Sequence, residues 1–370
     1  MILSKSNVVH YLVEQGLLAM DSVVDGDLMV ADATRRNRNF KIIRRRSPGY
    51  FVKQIQNWDP QTVAALAGEA ACYRLARSGA EFAALGDLVP RDFFYDTQRH
   101  VLVTELLADG ETLSEHHRRL NAFPLEPARL LGEFFGRLHR PDAVPAAQHA
   151  ETAAFRRQPP WILSAHQQGV HLFGALSAAN AQLFNIVQTY PEFERTLGEL
   201  RQEWRAERLI HGDVKWDNCV VYPARPGDRL GAGPLALKVV DWELADIGDE
   251  RWDLGALLQA YVAFWVFSMQ IGGELPPARY VETAQFPIER MQPSIRALWR
   301  SYVAARGLGR DAAQPLLRQS MRFGAARMIQ TAYETMQFSP QISPHALCML
   351  QVSFNILREP SEAVSHLLGL

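Results

Sequence analysis

His211-Gly212-Asp213-Val214-Lys215-Trp216-Asp217-Asn218 is the stretch on which the reading of this chain turns. It sets a carboxylate, Asp213, five residues before an amide, Asn218, and just ahead of a short apolar run, Cys219–Tyr222. A second apolar run, Leu237–Val240, leads directly into Asp241. Between the runs, Pro223, Pro226, Gly227, Gly231, Gly233 and Pro234 mark a loop. Two short strands are therefore expected, with an acid and an amide before the first and an acid after the second. That is a donor set for phosphoryl transfer, which needs a carboxylate near the attacking hydroxyl and hard oxygen ligands for magnesium.

Upstream, the first hundred residues read as strand-rich. Candidate strands are Val23–Val30, which runs through Asp25-Gly26-Asp27, then Phe40–Ile43 and Tyr50–Ile55, with a turn at Ser47-Pro48-Gly49. Three in succession predict an antiparallel meander. In the third, Phe51, Lys53 and Ile55 share one face and Val52 the other. Asp59-Pro60 opens a helix with apolar residues at Val63, Leu66, Ala67, Ala70 and Ala71, and Gly79 marks its end. Glu69 lies in that helix, sixteen residues after Lys53. Val89–Tyr95 and Val101–Leu106 flank Asp96-Thr97-Gln98-Arg99, a hairpin turn. After Asp109-Gly110 the pattern becomes helical. Leu130–His139 shows a helical period, residues 155–207 read as further helices, and the chain from Trp252 onward is helical again. Leu254–Ile271 is the most apolar stretch, but Gln259 and Gln270 interrupt it, so it reads as a buried helix and not a membrane span.

These pieces together resemble the aminoglycoside phosphotransferase-like kinases of the protein-kinase-like superfamily. The resemblance rests on His211 to Asn218, on Asp241-Trp242-Glu243, on Gly248-Asp249-Glu250-Arg251-Trp252-Asp253-Leu254, and on Leu130-Leu131-Gly132 with Leu138-His139. It implies an α+β, bilobal protein-kinase-like fold. A small antiparallel-sheet N-lobe with one main helix (residues 1–107) would end in a hinge, followed by a larger helical C-lobe (108–370) with the catalytic loop and acceptor site. It implies ATP and Mg2+ as cofactors, Asp213 as catalytic base, and Asn218 and Asp241 as metal ligands. Asp253 would brace the loop through backbone hydrogen bonds. Lys53 paired with Glu69 would hold the α- and β-phosphates. Thr104-Glu105-Leu106-Leu107 resembles the hinge, where adenine would bond to backbone near Glu105 and Leu107.

The chain departs from the pattern in three places. The phosphate-covering loop reads Ala31-Asp32-Ala33-Thr34-Arg35-Arg36-Asn37-Arg38-Asn39, without the usual glycines. Arg35 and Arg38 are therefore candidates for the phosphate contacts that glycine backbone would otherwise make. Gly212 stands where many protein kinases carry an arginine that reads activation-loop phosphorylation, so no such switch is expected. Lys215, two residues after Asp213, is a candidate for neutralising charge in the transition state; a solvent-facing lysine is the alternative.

The acceptor is less constrained. Leu254–Leu370 holds 10 arginines, 7 acidic residues and no lysine, which speaks against a polycationic sugar. The basic run Arg35–Arg46 resembles kinases of lanthipeptide and thioamitide biosynthesis. That resemblance makes Ser or Thr of a ribosomally made precursor peptide the first-choice acceptor, with a separate lyase as partner. The alternatives are a small-molecule kinase (sugar, amino-alcohol or antibiotic) and a pseudokinase-like binding module.

The bulk properties fit this reading. A chain of 370 residues is long enough for two lobes. The net charge of −1 gives no global pull toward nucleic acid or anionic membrane, and no aromatic residue interleaves with Arg35–Arg38. Cys72, Cys219 and Cys348 are widely spaced and odd in number, without zinc or redox spacing, and Lys5 and Glu14 precede any long apolar run. The expected setting is the cytoplasm.

Overall fold

The computed structural model describes residues 1–34, 36–45, 48–79, 82–140, 149–153, 155–167, 176–225, 228–231, 233–272 and 276–370. In chain order its elements begin α1 (Val8–Glu14), α2 (Met20–Val24), β1 (Leu28–Asp32), β2 (Arg38–Arg44), β3 (Tyr50–Gln54), α3 (Pro60–Ala76), α4 (Ala83–Leu88), β4 (Asp92–Asp96), β5 (Val101–Glu105) and β6 (Glu111–Thr112). Then come α5 (Leu113–Leu120), α6 (Leu125–Leu138), α7 (Ala178–Thr189), α8 (Pro191–Gln202), β7 (Arg208–Ile210), β8 (Cys219–Pro223), β9 (Leu235–Val239) and β10 (Asp246–Gly248). The α-helices described after these are α9 (Glu250–Phe267), α10 (Ile288–Arg306), α11 (Arg310–Thr335), α12 (Pro344–Arg358) and α13 (Pro360–Ala363), with a π-helical turn at Val364–Leu368 after α13. They form two compact units. One comprises Met1–Leu113, Gln148–Phe155 and Asp217–Ala245; the other comprises Ser114–Ala147, Arg156–Trp216 and Asp246–Leu370.

The first unit is built on a five-stranded antiparallel sheet of order β1-β2-β3-β5-β4. Alternation along β3 decides its two faces. Tyr50 and Val52 enter a core with Phe40, Ile42, Val101 and Val103, closed over by Leu3, Val8, Tyr11, Leu12 and Leu18 from the N-terminal segment. Lys53 points to the opposite face, where α3 lies. Asp59 caps α3 by accepting from the amides of Gln61 and Thr62, as the Asp-Pro start predicts. A second sheet, β6-β8-β9, contains both short strands expected around the loop.

Two expectations need correction. Val23–Val30 is not one strand: Val23 and Val24 end α2, and the strand begins at Leu28. Gly26, at φ 64°, makes the left-handed turn that separates them. Helix α3 ends at Ala76, ahead of Gly79.

The second unit is helical apart from the β7–β10 pair. Leu254–Ile271 falls within and just past α9, which is buried on every side from Trp252 to Val266, as its all-round apolar character requires. Among the described residues no helix is long and apolar enough to cross a membrane. Glycines let two helix pairs approach at backbone distance. A Cβ on Gly132 of α6 would collide with the Leu298 carbonyl of α10. One on Gly255 of α9 would lie 2.6 Å from the amide nitrogen of Gly324 of α11.

Candidate active site

In the first unit, Lys53 is the centre of a carboxylate cluster. Its Nζ donates to Glu69 Oε2 at 2.8 Å, to Asp241 Oδ1 at 2.6 Å and to Glu243 Oε2 at 3.1 Å. Each partner arrives on a different element. Glu69 comes from the buried face of α3. Asp241 follows β9, and Glu243 sits in the short 3-10 turn Trp242–Leu244 that packs on α3. Trp242 is wholly buried and donates from Nε1 to the Val239 carbonyl, which fixes that turn. Asp241 itself adopts φ 67°, ψ 58°, a left-handed conformation that a short polar side chain tolerates better than most and that collects at functional sites.

Lys53 is 6% exposed. Burial alone would lower its pKa, but Glu69, Asp241 and Glu243 outweigh it and hold the ammonium charged well above its ordinary range. Glu69 moves the other way from a normal ion-paired acid. Its burial raises the carboxyl pKa more than Lys53 lowers it. Arg36 donates to Glu243 Oε1 at 3.1 Å and Asn37 to Oε2 at 3.4 Å. Three carboxylates against Lys53 and the exposed Arg36 leave one negative charge in excess. Ligand oxygens of Glu69, Asp241 and Glu243 lie within 4.8 Å of one another with the Lys53 ammonium among them, and Asp241, the most exposed of the three, offers a hard oxygen ligand suited to a divalent cation.

The other expected residues of this unit are placed as follows. Asn218 is buried, and its carbonyl accepts from the amide of Val240, tying the residue before β8 to the one before Asp241. Arg38 opens β2 opposite Gln54 of β3, so it lies on the sheet face of Phe40 and Val52 and not on that of Lys53, which does not suit the expected phosphate contact. Glu105 ends β5 and donates its amide to the Arg91 carbonyl, and the Leu107 carbonyl accepts from Gly110. Arg35 and Arg46 lie outside the described residues.

In the second unit, the loop His211–Trp216 is held from below by α9. Asp253, fully buried, accepts from the amide of His211 at 2.6 Å and of Gly212 at 3.0 Å. These are the bracing bonds that the resemblance implies. Trp252 Nε1 donates to the Gly212 carbonyl at 2.8 Å. Gly212 turns the chain at φ 78°, a conformation that favours glycine. The Asp213 amide donates to His211 Nδ1 at 3.2 Å, so that nitrogen acts as acceptor. Trp216 anchors the far end of the loop against His117, Tyr261 and Phe264. Burial lowers the pKa of His117 to about 3, with His116 adding to the effect, so its ring meets Trp216 uncharged.

Both carboxylate oxygens of Asp213 are engaged. Oδ2 accepts from Lys215 Nζ at 2.7 Å, and Oδ1 accepts from Arg327 of α11 at 2.7 Å. Burial pushes the carboxyl pKa up; Arg327 and then Lys215 pull it down further, and the net shift is downward. The sequence reading missed Arg327. A signal was present: Arg327 interrupts Ala325, Ala326, Met328 and Ile329, an apolar run in which a charge needs a buried partner. Glu243 was quoted in a motif without a role.

Asp253 carries a first prediction. Asp253→Ala removes the acceptor of the buried His211 amide, costing about 1–3 kcal/mol, and of the half-buried Gly212 amide, costing less. Asp253→Asn keeps one acceptor oxygen and loses roughly half as much. Chemical denaturation of the two variants beside the parent checks this order.

No protein-family model matches the chain, and no curated protein matches it. Solved structures do. The amicoumacin kinase hAmiN in complex with AMP-PNP, Ca2+ and Ami is 12% identical, the match covering 95% of this chain and 96% of that chain at a TM-score of 0.52. A choline/ethanolamine kinase family protein from Mesorhizobium loti is 16% identical over 96% of this chain and 94% of that one, with a TM-score of 0.48. The choline kinase LicA from Streptococcus pneumoniae is 12% identical over 95% and 99%, with a TM-score of 0.45. At such identities likeness speaks to architecture alone: the chain has the protein-kinase-like fold, with a five-stranded antiparallel sheet in its smaller part and a larger helical part.

Proposed function

We propose that the chain is an ATP- and magnesium-dependent phosphotransferase acting on a hydroxyl group of a small molecule. The observation that carries this reading is Lys53, which binds Glu69 of α3 and Asp241 after β9 at the same ammonium. A structural lysine needs one acid; a phosphate-binding lysine needs to be held, charged, beside the metal ligands. In this reading Lys53 contacts the α- and β-phosphates, with Glu69 fixing its position. Asp241 and Asn218 would hold Mg2+, which neutralises phosphate charge when bound. Adenine would meet the carbonyl of Glu105 and the amide of Leu107, while the opposite group of each residue is engaged within the chain.

Asp213 receives the acceptor's proton as the new O–P bond forms and the bond to the bridging oxygen of ADP breaks; the proton then passes to solvent. A carboxylate of lowered pKa is a weak base, but a loose phosphoryl-transfer transition state asks little of it before the new bond is advanced. Its orientation matters more. Lys215, 37% exposed at the side chain, holds Asp213 Oδ2 and is the candidate for neutralising charge in the transition state.

A small-molecule acceptor is supported by the likeness to the amicoumacin kinase, whose complex contains the nucleotide analogue and Ami. The peptide reading drew on the basic loop. Arg36 and Asn37 of that loop turn onto Glu243, so their donors serve the carboxylate cluster. No described feature favours Ser or Thr of a precursor peptide, or a partner lyase, over a small alcohol.

The test is a coupled assay of ATP consumption with amicoumacin, aminoglycosides, small amino alcohols and Ser/Thr peptides, with and without chelator. Chelator-sensitive turnover stimulated by a small alcohol is expected. Asp241→Asn should lose both turnover and magnesium-dependent nucleotide affinity. Tight nucleotide binding with no turnover on any acceptor would make the chain a binding module and sink the proposal.

A further inference from the structure

Arg327 is 1% exposed, and a guanidinium at that depth is costly unless its charge is matched. Its NH2 is shared between Asp213 Oδ1 at 2.7 Å and Glu334 Oε2 at 3.3 Å, and its NH1 donates to Thr331 Oγ1 at 3.1 Å. Gln330 Nε2 donates to Glu334 Oε1 at 2.9 Å and fixes that carboxylate in turn. Residues 327, 330, 331 and 334 share one face of α11, spaced by one and two turns. The Gly255–Gly324 contact seats α11 closely on α9 one turn before Arg327. Asp253, on α9, meanwhile holds the amides beside Asp213. One helix therefore fixes the backbone of the loop and the other fixes the carboxylate.

We propose that Arg327 is a positioning residue for phosphoryl transfer, holding the Asp213 carboxylate ionised and in one orientation toward the acceptor hydroxyl. The proposal rests on the reading of Asp213 given above. Arg327 is too deeply buried to meet substrate and acts through Asp213 alone. Among the described residues, the charged and titratable groups that reach the carboxylate or its arginine include Glu334 from α11, and Lys215 and His211 from its own loop. Glu334 competes for Arg327 and, at 32% side-chain exposure, can be neutralised with little loss of packing.

The experiment is a titration of the full chain, selectively labelled at aspartate Cγ with carbon-13, using D213N to assign the Asp213 resonance. It needs no acceptor. R327M should raise the Asp213 midpoint by about one to three pH units, the usual effect of an adjacent opposite charge. R327K should raise it less, and E334Q should lower it. With an acceptor in hand, R327M should reduce kcat at unchanged KM for ATP, with partial rescue in R327K. An Asp213 midpoint that is the same in parent, R327K and E334Q overturns the proposal, and those two variants decide it even if R327M does not fold. If the parent enzyme phosphorylates no acceptor, the proposed reaction itself fails; an active parent with an unmoved midpoint removes only Arg327's role.

Discussion

Asp213→Asn is expected to lose phosphoryl transfer by about 10²–10⁴-fold while nucleotide affinity stays near that of the parent. Asparagine keeps the shape of the side chain and an oxygen for Arg327, but it cannot take a proton. Asp213→Ala is a poorer test. It leaves Arg327, 1% exposed, with Glu334 as its remaining carboxylate. Breaking a buried pair by removing one partner costs roughly 3–5 kcal/mol. The alanine variant should therefore melt earlier than the asparagine variant, and its lost turnover would mix chemistry with unfolding. Single-turnover assays beside thermal denaturation separate the two. Near-parental turnover in a folded Asp213→Asn would remove Asp213 from the reaction.

Lys53→Met is the second large effect. It leaves Glu69, Asp241 and Glu243 crowded together, with Arg36 as the cation still bonded to the cluster. Loss of a preorganised phosphate donor should lower kcat/KM for ATP by about 10²–10³-fold. Stability should acquire a new pH dependence. Glu69 already has its pKa raised by burial against the pull of Lys53, and without the lysine it rises further. A carboxyl raised on folding contributes stability fully below its unfolded value, near 4.5, and loses that contribution as pH climbs through the raised folded value. Relative to the parent, the variant should weaken from about pH 4.5 toward neutrality, and acid should narrow the gap. Denaturant titrations at pH 5 and pH 8 check this; equal deficits at both would contradict it.

How much of this was legible from sequence follows from how far apart the partners lie. Lys53 and Glu69 sit on a strand and on the helix that follows it, so alternation on one and helical period on the other bring them face to face. Asp253 and its loop were legible through motif resemblance, and the hydrogen bonds agree. The Val23–Val30 reading failed because two valines suit a strand as well as a helix end, and the turn at Gly26 separates the two. Helix α1 escaped because its seven residues give barely two turns of pattern, while its buried face, Val8, Tyr11 and Leu12, is defined by the sheet it covers. Arg327 escaped because an arginine in a helix is ordinarily solvated. The apolar run around it, Ala325, Ala326, Met328 and Ile329, was the sequence's hint, and the packing of α9 and α11 at paired glycines shows that its face is interior.

The distance along the chain between Asp213 and its arginine has a consequence in the cell. They are separated by 114 residues. At synthesis rates of roughly 5–20 residues per second, Asp213 leaves the ribosome ~6–23 seconds before Arg327. During that interval the loop can fold on itself, with Lys215 beside Asp213, but its permanent counter-charge does not yet exist. The base is completed by a helix made well after its loop, so a nascent chain stopped before α11 carries the loop's motif without the buried charge that orders it.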